Sequence, residues 1–432
     1  MSLRVGIPIL SDKFLCFCNV RNAKMYDLDG DEMNICSVAV VGGGTMGAGI
    51  IYTISNLGVP VIFKELNENL VKKCQDQVNR IYASAVNKGK ITEEEMKKGL
   101  KLIHGDSDYK GFEKVDLVIE AVPEDVVIKE RIFQEMDRIC KPEAIFASNT
   151  SALLISELAS FTQRRSKFIG MHWFNPPHIM RLIEVIPGLE TSEETVKTTM
   201  TFCEKLNKVP IRLKECAGFL IARLLGMYVN EAFWMLGEGH RPADIDQSGV
   251  EMGMPMGPFT LGDMAGWDVV HHANETLYES YGMRFKIPPL FHDLVTSGKL
   301  GVKTGQGVYT YKKVGSGPPQ KTGDISPSLN RQEREILSNR LLWTMLNEGI
   351  RCLDESIASE VDIDKALQLG AGMPKGPLYW ADEVGLDWVF IELDNQKEAF
   401  GERYWPSPLL RRKVKAGHLG KKVGKGFFDY RS

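Results

Sequence analysis

Cysteine is scarce in this chain, with eight residues in 432, too few for a disulfide framework. Cys16 and Cys18 form a C-x-C pair, but no second pair completes a zinc-ligand set, so both read as apolar or exposed thiols and no metal is expected. Reduced thiols suit an intracellular compartment. No run approaches the roughly 18–20 apolar residues of a membrane span, so no membrane partner is expected. Charge of one sign is not in excess: a net charge of −3 gives no bulk reason to expect nucleic acid. Targeting features are missing as well. Asp27, Asp29, Asp31 and Glu32 argue against an acid-poor transit peptide, and the ending Asp429-Tyr430-Arg431-Ser432 is not a Ser-Lys-Leu address.

What is present describes an ordinary globular protein, 43% hydrophobic and 25% charged, long enough for two or three domains. Ser37–Val41 is β-rich and opens into glycines, a helical pattern runs over Thr45–Leu57, and Gly58 leads into a strand at Val59–Phe63. That is a strand–helix–strand unit of the size a parallel crossover needs. Val115–Ala121, Ala144–Ala147, Phe168–His172 and Leu182–Ile186 read as further strands, with a helix at Val126–Ile139 among them. The alternation predicts a doubly wound, mostly parallel sheet of the α/β Rossmann type.

From about Glu215 the pattern turns helical and repeats. Asp244-Ile245-Asp246 recurs as Asp362-Ile363-Asp364, and Met254-Pro255-Met256-Gly257-Pro258 as Met373-Pro374-Lys375-Gly376-Pro377. The run Gly301–Tyr309, with Lys303 inside it, recurs as Gly420–Phe428. Three matches in one order at a nearly constant offset imply a duplicated domain. The expected organisation is an N-terminal extension (1–36), a dinucleotide-binding domain (37–213), a first all-α domain (214–312), an exposed linker (313–330) and a second all-α domain (331–432).

Gly42, Gly44 and Gly47 fit G-x-G-x-x-G, followed by a helix whose first residues, Thr45 and Met46, offer free N–H groups to a pyrophosphate. Glu65 lies 23 residues after Gly42 at the end of the second strand, where a carboxylate accepts from a ribose 2′-OH and repels a 2′-phosphate. The expected cofactor is NAD rather than NADP, although Lys64 beside Glu65 counts the other way. His172 sits at the C-terminal end of a predicted strand, where open α/β sheets bind ligands, and Glu184 follows twelve residues later. A histidine beside a carboxylate makes a general base, but spacing alone does not bring the two together.

These motifs, with Ile119–Glu124, Ala147–Ser151, Met180–Ile186 and Gly218-Phe219, resemble the 3-hydroxyacyl-CoA dehydrogenases over nearly all of residues 37–430. The form is most similar to the dehydrogenase part of the peroxisomal multifunctional β-oxidation enzyme. The resemblance implies oxidation of (3S)-3-hydroxyacyl-CoA to 3-oxoacyl-CoA. His172 would take the hydroxyl proton while hydride leaves for the nicotinamide, Glu184 would orient His172, and Ser151 would hold the reacting oxygen near NAD. It also implies NAD contacts for Glu124, Lys129 and Lys303, and a CoA contact for Lys88. Lys88 and Lys129 read equally well as solvated lysines on helices. Single-copy members dimerise through the helical domain, so a second copy implies a monomer with an internal pseudo-dimer. A peroxisomal setting is implied by resemblance alone, with mitochondrion and cytoplasm as alternatives.

One position departs from the pattern. Where the family has asparagine in Gly-Phe-x-x-Asn-Arg, this chain has Ala222 in Gly218-Phe219-Leu220-Ile221-Ala222-Arg223. Alanine does not donate a hydrogen bond, and Asn230 is the nearby amide. A catalytically weakened or inactive NAD- and acyl-CoA-binding homologue is therefore the alternative reading. A small hydroxyacid dehydrogenase with a catalytic lysine is a third.

Overall fold

The computed structural model describes residues 35–313, 319–323 and 325–431. Cys16, Cys18, the acidic residues 27–32 and nearly all of the expected N-terminal extension lie outside the described residues, as do residues 314–318 of the linker.

The first part is an eight-stranded sheet. Its strands are β1 (Val38–Val41), β2 (Val61–Lys64), β3 (Ile103–Asp106), β4 (Leu117–Glu120), β5 (Ile145–Ser148), β6 (Phe168–Trp173), β7 (Leu182–Pro187) and β8 (Val209–Arg212). Their spatial order is β3-β2-β1-β4-β5-β6-β7-β8. The central strands are apolar and buried on both faces, as a sheet covered by helices requires. The covering helices are α1 (Thr45–Ser55), α2 (Glu68–Asn87), α3 (Glu93–Lys101), α4 (Val126–Ile139), α5 (Ile155–Ser160) and α6 (Glu193–Lys205). Neighbouring strands run parallel except β6 and β7, which pair antiparallel. That single reversal sets His172 directly opposite Glu184 in the ladder.

Two edge strands escape the sequence reading. β3 reads Ile-His-Gly-Asp, and a Cβ on Gly105 would meet the Phe63 ring at 2.2 Å, so glycine is there for packing. β8 contains Pro210, which an edge strand tolerates.

The second part is two copies of one helical unit. α7 (Ile221–Gly237), α8 (Pro242–Met252), α9 (Pro258–Ala265), α10 (Trp267–Tyr281) and α11 (Pro289–Thr296) form the first. α12 (Arg331–Asp354), α13 (Glu360–Gly370), α14 (Pro377–Val384), α15 (Leu386–Phe400) and α16 (Pro408–Lys415) form the second. The repeated motifs meet in the same way in each. Asp246 accepts from the Phe259 and Thr260 N–H groups that begin α9, and Asp364 from those of Leu378 and Tyr379 that begin α14. Asp263 ties down the loop of the Gly-x-Lys-x-Gly-x-Gly run through Val308 and Tyr309, as Asp382 does through Phe427 and Phe428.

The seam between the copies is self-complementary. Arg223 reaches Glu348 and Glu355 at 2.7 Å, while Arg340, its counterpart 117 residues on, reaches Glu231 and Glu238. Arg284 and Arg403 repeat the exchange, to Glu348 at 2.6 Å and to Glu231 at 2.6 Å. Reciprocal contacts of this kind are what a two-fold dimer makes between subunits, here within one chain. Burial opposes ionisation of Glu348, but Arg223, Arg284 and Arg351 outweigh it and hold its carboxyl below the ordinary range. Replacing Glu348 by leucine leaves these arginines without their buried carboxylate, with an expected loss of about 3–5 kcal/mol of stability. Chemical denaturation of Glu348→Leu beside native protein measures it, and a change near zero would refute the account.

The segment expected as a linker, 313–330, carries local structure. β9 (Thr310–Lys312) pairs antiparallel with β10 (Gln320–Thr322), and Lys321 lies 4.0 Å from the Tyr309 ring centroid while reaching Asp246 at 3.3 Å. Ser328 and Leu329 donate their N–H groups to Asp244. Buried acids of the first copy therefore anchor the segment at a few points, while most of its described residues remain exposed. Among the described residues, no helix is long and apolar enough to cross a membrane.

Candidate active site

The glycine loop leaves β1 in a turn open only to glycine at its first position. Gly42 has φ +97°, and a Cβ there would meet the Ala121 carbonyl oxygen at 2.6 Å. A Cβ on Gly47 would lie 1.8 Å from the Gly42 carbonyl oxygen, so its absence lets α1 start against the strand. Gly44 faces open space, and no side chain caps α1. The N–H groups of Thr45, Met46 and Gly47 are thus presented to an anion. Glu65 closes the other side, its carboxylate accepting from Gly43 N–H at 2.7 Å. Lys64 is drawn away, its ammonium 4.8 Å from the Tyr109 ring centroid. A glycine cradle, an uncapped helix and a carboxylate at the loop fit the adenosine half of NAD and oppose a 2′-phosphate.

A second network holds the turn after β5. Lys129 is buried, not on a solvated face, and its ammonium sits 2.7 Å from Glu120 and 3.2 Å from Glu124. Ser148 donates to Glu120 at 2.6 Å. Glu124 accepts from the Thr150 hydroxyl, from Ser151 N–H at 2.9 Å and from Ala152 N–H at 3.1 Å. Burial raises the Glu124 pKa, but Lys129 and these donors pull it below the ordinary range. Asn149 joins the turn to β6, its side-chain oxygen accepting from Trp173 N–H at 2.9 Å. Ser151 is left with its side chain at the surface. Glu124 and Lys129, expected as cofactor contacts, here position the Ser151 turn. Glu120, Ser148 and Asn149, all within the quoted motifs, were not singled out, because a supporting residue carries no spacing signal of its own.

His172 Nδ1 lies 2.6 Å from Glu184 Oε2. An ionised carboxylate only accepts, so Nδ1 carries the proton and Nε2 keeps its lone pair. The other oxygen, Oε1, accepts from Leu220 N–H at 3.2 Å and Ile221 N–H at 3.0 Å, at the start of α7. Glu184 therefore joins the histidine to the helical unit. Phe174 and Phe219 flank the imidazole, with ring centroids 4.6 and 5.7 Å away. Ala222 follows Ile221 on the first turn of α7, next to the N–H groups that Glu184 holds. Asn230 lies eight residues further, about 12 Å along the helix axis, and is no substitute.

Lys303 and Lys88 lie outside these networks. Lys303 pairs with Asp268 of the first helical copy, and Lys422 pairs identically with Asp387 of the second. The repetition shows that the motif itself sets this lysine's place, and no hydrogen bond among the described residues brings it to the glycine loop. Lys88 follows the end of α2 and is exposed. Burial lowers the His178 pKa first, and Lys208, Lys90 and Lys88 add to it, which places Lys88 near the segment following His172.

Lys208 is a positioning residue that sequence reasoning missed. Nearly buried, it donates to the Pro177 carbonyl at 2.5 Å and the Met180 carbonyl at 2.8 Å, fixing the loop between His172 and Glu184. Burial pushes its pKa down to about 8. Folding then favours the unprotonated amine, so its contribution to stability rises as pH climbs from about 8 toward the unfolded lysine's value. The stability gap between native protein and Lys208→Met should widen over that interval. Denaturation at pH 7 and pH 10 tests it, and a constant gap would contradict the assignment.

Residues 37–216 match the 3-hydroxyacyl-CoA dehydrogenase NAD-binding domain, and residues 218–311 and 337–430 each match the 3-hydroxyacyl-CoA dehydrogenase C-terminal domain. The chain is 34% identical over 401 residues to the fatty acid oxidation complex subunit alpha of Shewanella amazonensis, covering 90% of this chain and 56% of the relative. With that of Idiomarina loihiensis the identity is 35% over 390 residues, covering 88% and 55%. The chain thus spans little more than half the length of these relatives. Both are bacterial, and neither supports the peroxisomal setting. Among solved structures, Escherichia coli 3-hydroxybutyryl-CoA dehydrogenase superposes with a TM-score of 0.79 at 26% identity, over 89% of this chain and all of that one. The dehydrogenase part of multifunctional enzyme 1 from C. elegans gives 0.62 at 26%, over 90% and 93%. With its NAD-binding domain and two C-terminal domains matched in order, the chain belongs to the 3-hydroxyacyl-CoA dehydrogenase family.

Proposed function

We infer that this protein oxidises (3S)-3-hydroxyacyl-CoA to 3-oxoacyl-CoA with NAD, a step of fatty-acid β-oxidation. The observation that carries the reading is the buried His172–Glu184 pair, with Nε2 of the imidazole left to accept a proton. NAD supplies the hydride acceptor when bound at the glycine loop. His172 removes the 3-hydroxyl proton, and Glu184 stabilises the imidazolium that results. Ser151, on the turn braced by Glu124, holds the reacting oxygen, while Lys88 meets the CoA portion. Glu124, Lys129 and Lys303 retain a family role toward NAD only by resemblance. The internal pseudo-dimer supports a monomer, which sedimentation tests directly.

Ala222 favours the second reading, a weakened or inactive homologue that still binds NAD and acyl-CoA. Purified protein mixed with acetoacetyl-CoA and NADH decides between them. Loss of NADH absorbance supports the dehydrogenase. Binding of NADH without turnover supports the alternative.

A further inference from the structure

The pseudo-symmetry of the two helical copies breaks at one buried amide. In the second copy Asn347 gives its NH₂ to the Trp405 carbonyl at 2.8 Å and accepts from Ser407 N–H at 3.1 Å. Asn230 is its counterpart in the first copy, 4% exposed, and neither its amide nitrogen nor its amide oxygen has a partner. For the oxygen the reason is visible in the repeat: Ser407 corresponds to Pro288, which has no N–H to give, while the nitrogen makes no bond to the carbonyl of Lys286, the counterpart of Trp405. A buried amide with both ends unpaired costs on the order of the desolvation of each group, so such residues call for an occupant.

Space for one exists. Asn230 lines a cavity of about 190 Å³ in the seam between the copies, walled by Met227, Trp234 and Phe400. Lys286, Arg284 and Arg403 also line it, with Glu402 and with Glu231, which Arg340 and Arg403 neutralise. The Arg403 guanidinium is engaged by Glu231, whereas Lys286 makes no ion pair among the described residues and lies 6.0 Å from the Trp234 ring centroid. We propose that this cavity binds a small hydroxy-carboxylate. One hydroxyl both donates to the Asn230 oxygen and accepts from its nitrogen, filling the roles that two backbone groups fill for Asn347. The carboxylate meets the Lys286 ammonium, and the apolar walls cover the short carbon chain between. The site stands apart from the His172–Glu184 pair and does not depend on the activity inferred above.

Calorimetric titration with (S)-malate, and with succinate as its hydroxyl-free counterpart, tests the proposal on the full chain. Saturable one-to-one binding of malate is expected, with succinate weaker by roughly ten- to a hundredfold, the equivalent of two hydrogen bonds. Asn230→Ala should abolish the preference for malate. Pro288→Ser restores the N–H that Ser407 supplies in the other copy, so the Asn230 oxygen is satisfied internally and malate binding weakens while the fold is kept. NADH titration of both variants confirms that each remains folded. No saturable malate binding to the native chain, or equal affinity in native and Pro288→Ser protein, would overturn the proposal.

Discussion

Replacing His172 by alanine is expected to lower the turnover of acetoacetyl-CoA reduction by about 10²–10⁴-fold, the usual contribution of a positioned general acid–base. In the reductive direction, the imidazolium gives its proton to the forming 3-hydroxyl, the reverse of its removal during oxidation. Alanine leaves Glu184 Oε2 without its partner at 2.6 Å, yet Oε1 still accepts from the first N–H groups of α7. The junction between sheet and helices therefore survives. The glycine loop and Glu65 are separate from the imidazole, so NADH affinity should hardly change. The measurement is NADH absorbance for turnover and NADH fluorescence for binding. A His172→Ala protein turning over at the native rate would remove the histidine from the mechanism. Joint loss of binding and turnover would mean that the residue was structural. Glu184→Gln adds a check, since glutamine still accepts from α7 but does not compensate an imidazolium, and turnover should fall without loss of fold.

Much of this frame was legible in the chain because it rests on local chemistry. The glycine loop, the acid after the second strand and the helix at Val126–Ile139 are encoded within short windows, and α4 has those bounds. His172 and Glu184 were both identifiable, but their meeting depended on the one antiparallel pair in an otherwise parallel sheet, which no spacing predicts. β3 and β8 lack the apolar runs of interior strands because edge positions do not require them. Lys129 looked like a surface lysine since helical periodicity does not record that Glu120 and Glu124 wait beneath it. The reciprocal arginines of the seam had a signal that three short motif matches left unread. Asn230-Glu231 recurs as Asn347-Glu348, at the same 117-residue spacing as Arg223 and Arg340. Lys303 has a partner that its motif alone did not reveal, Asp268, in a pairing that the second copy repeats.

Restoring the asparagine by Ala222→Asn should raise turnover by up to about a hundred- to thousand-fold, the worth of one preorganised donor at a developing oxyanion. The position makes this a local test. Ile221 N–H is held by Glu184 Oε1, which also fixes residue 222 on the first turn of α7 relative to His172. Asparagine in place of alanine in a helix costs well under 1 kcal/mol of propensity, so the gain is read against an intact fold. Turnover rising with little change in the KM for NADH would show that the native chain lacks a group acting on the substrate oxygen. Two other outcomes carry equal meaning. A native enzyme already fast, and unchanged by the substitution, would show that His172 and Ser151 suffice to hold that oxygen. A native chain without turnover that Ala222→Asn leaves inactive would place the defect elsewhere, and the His172–Glu184 pair would then be a relic of catalysis in a binding protein.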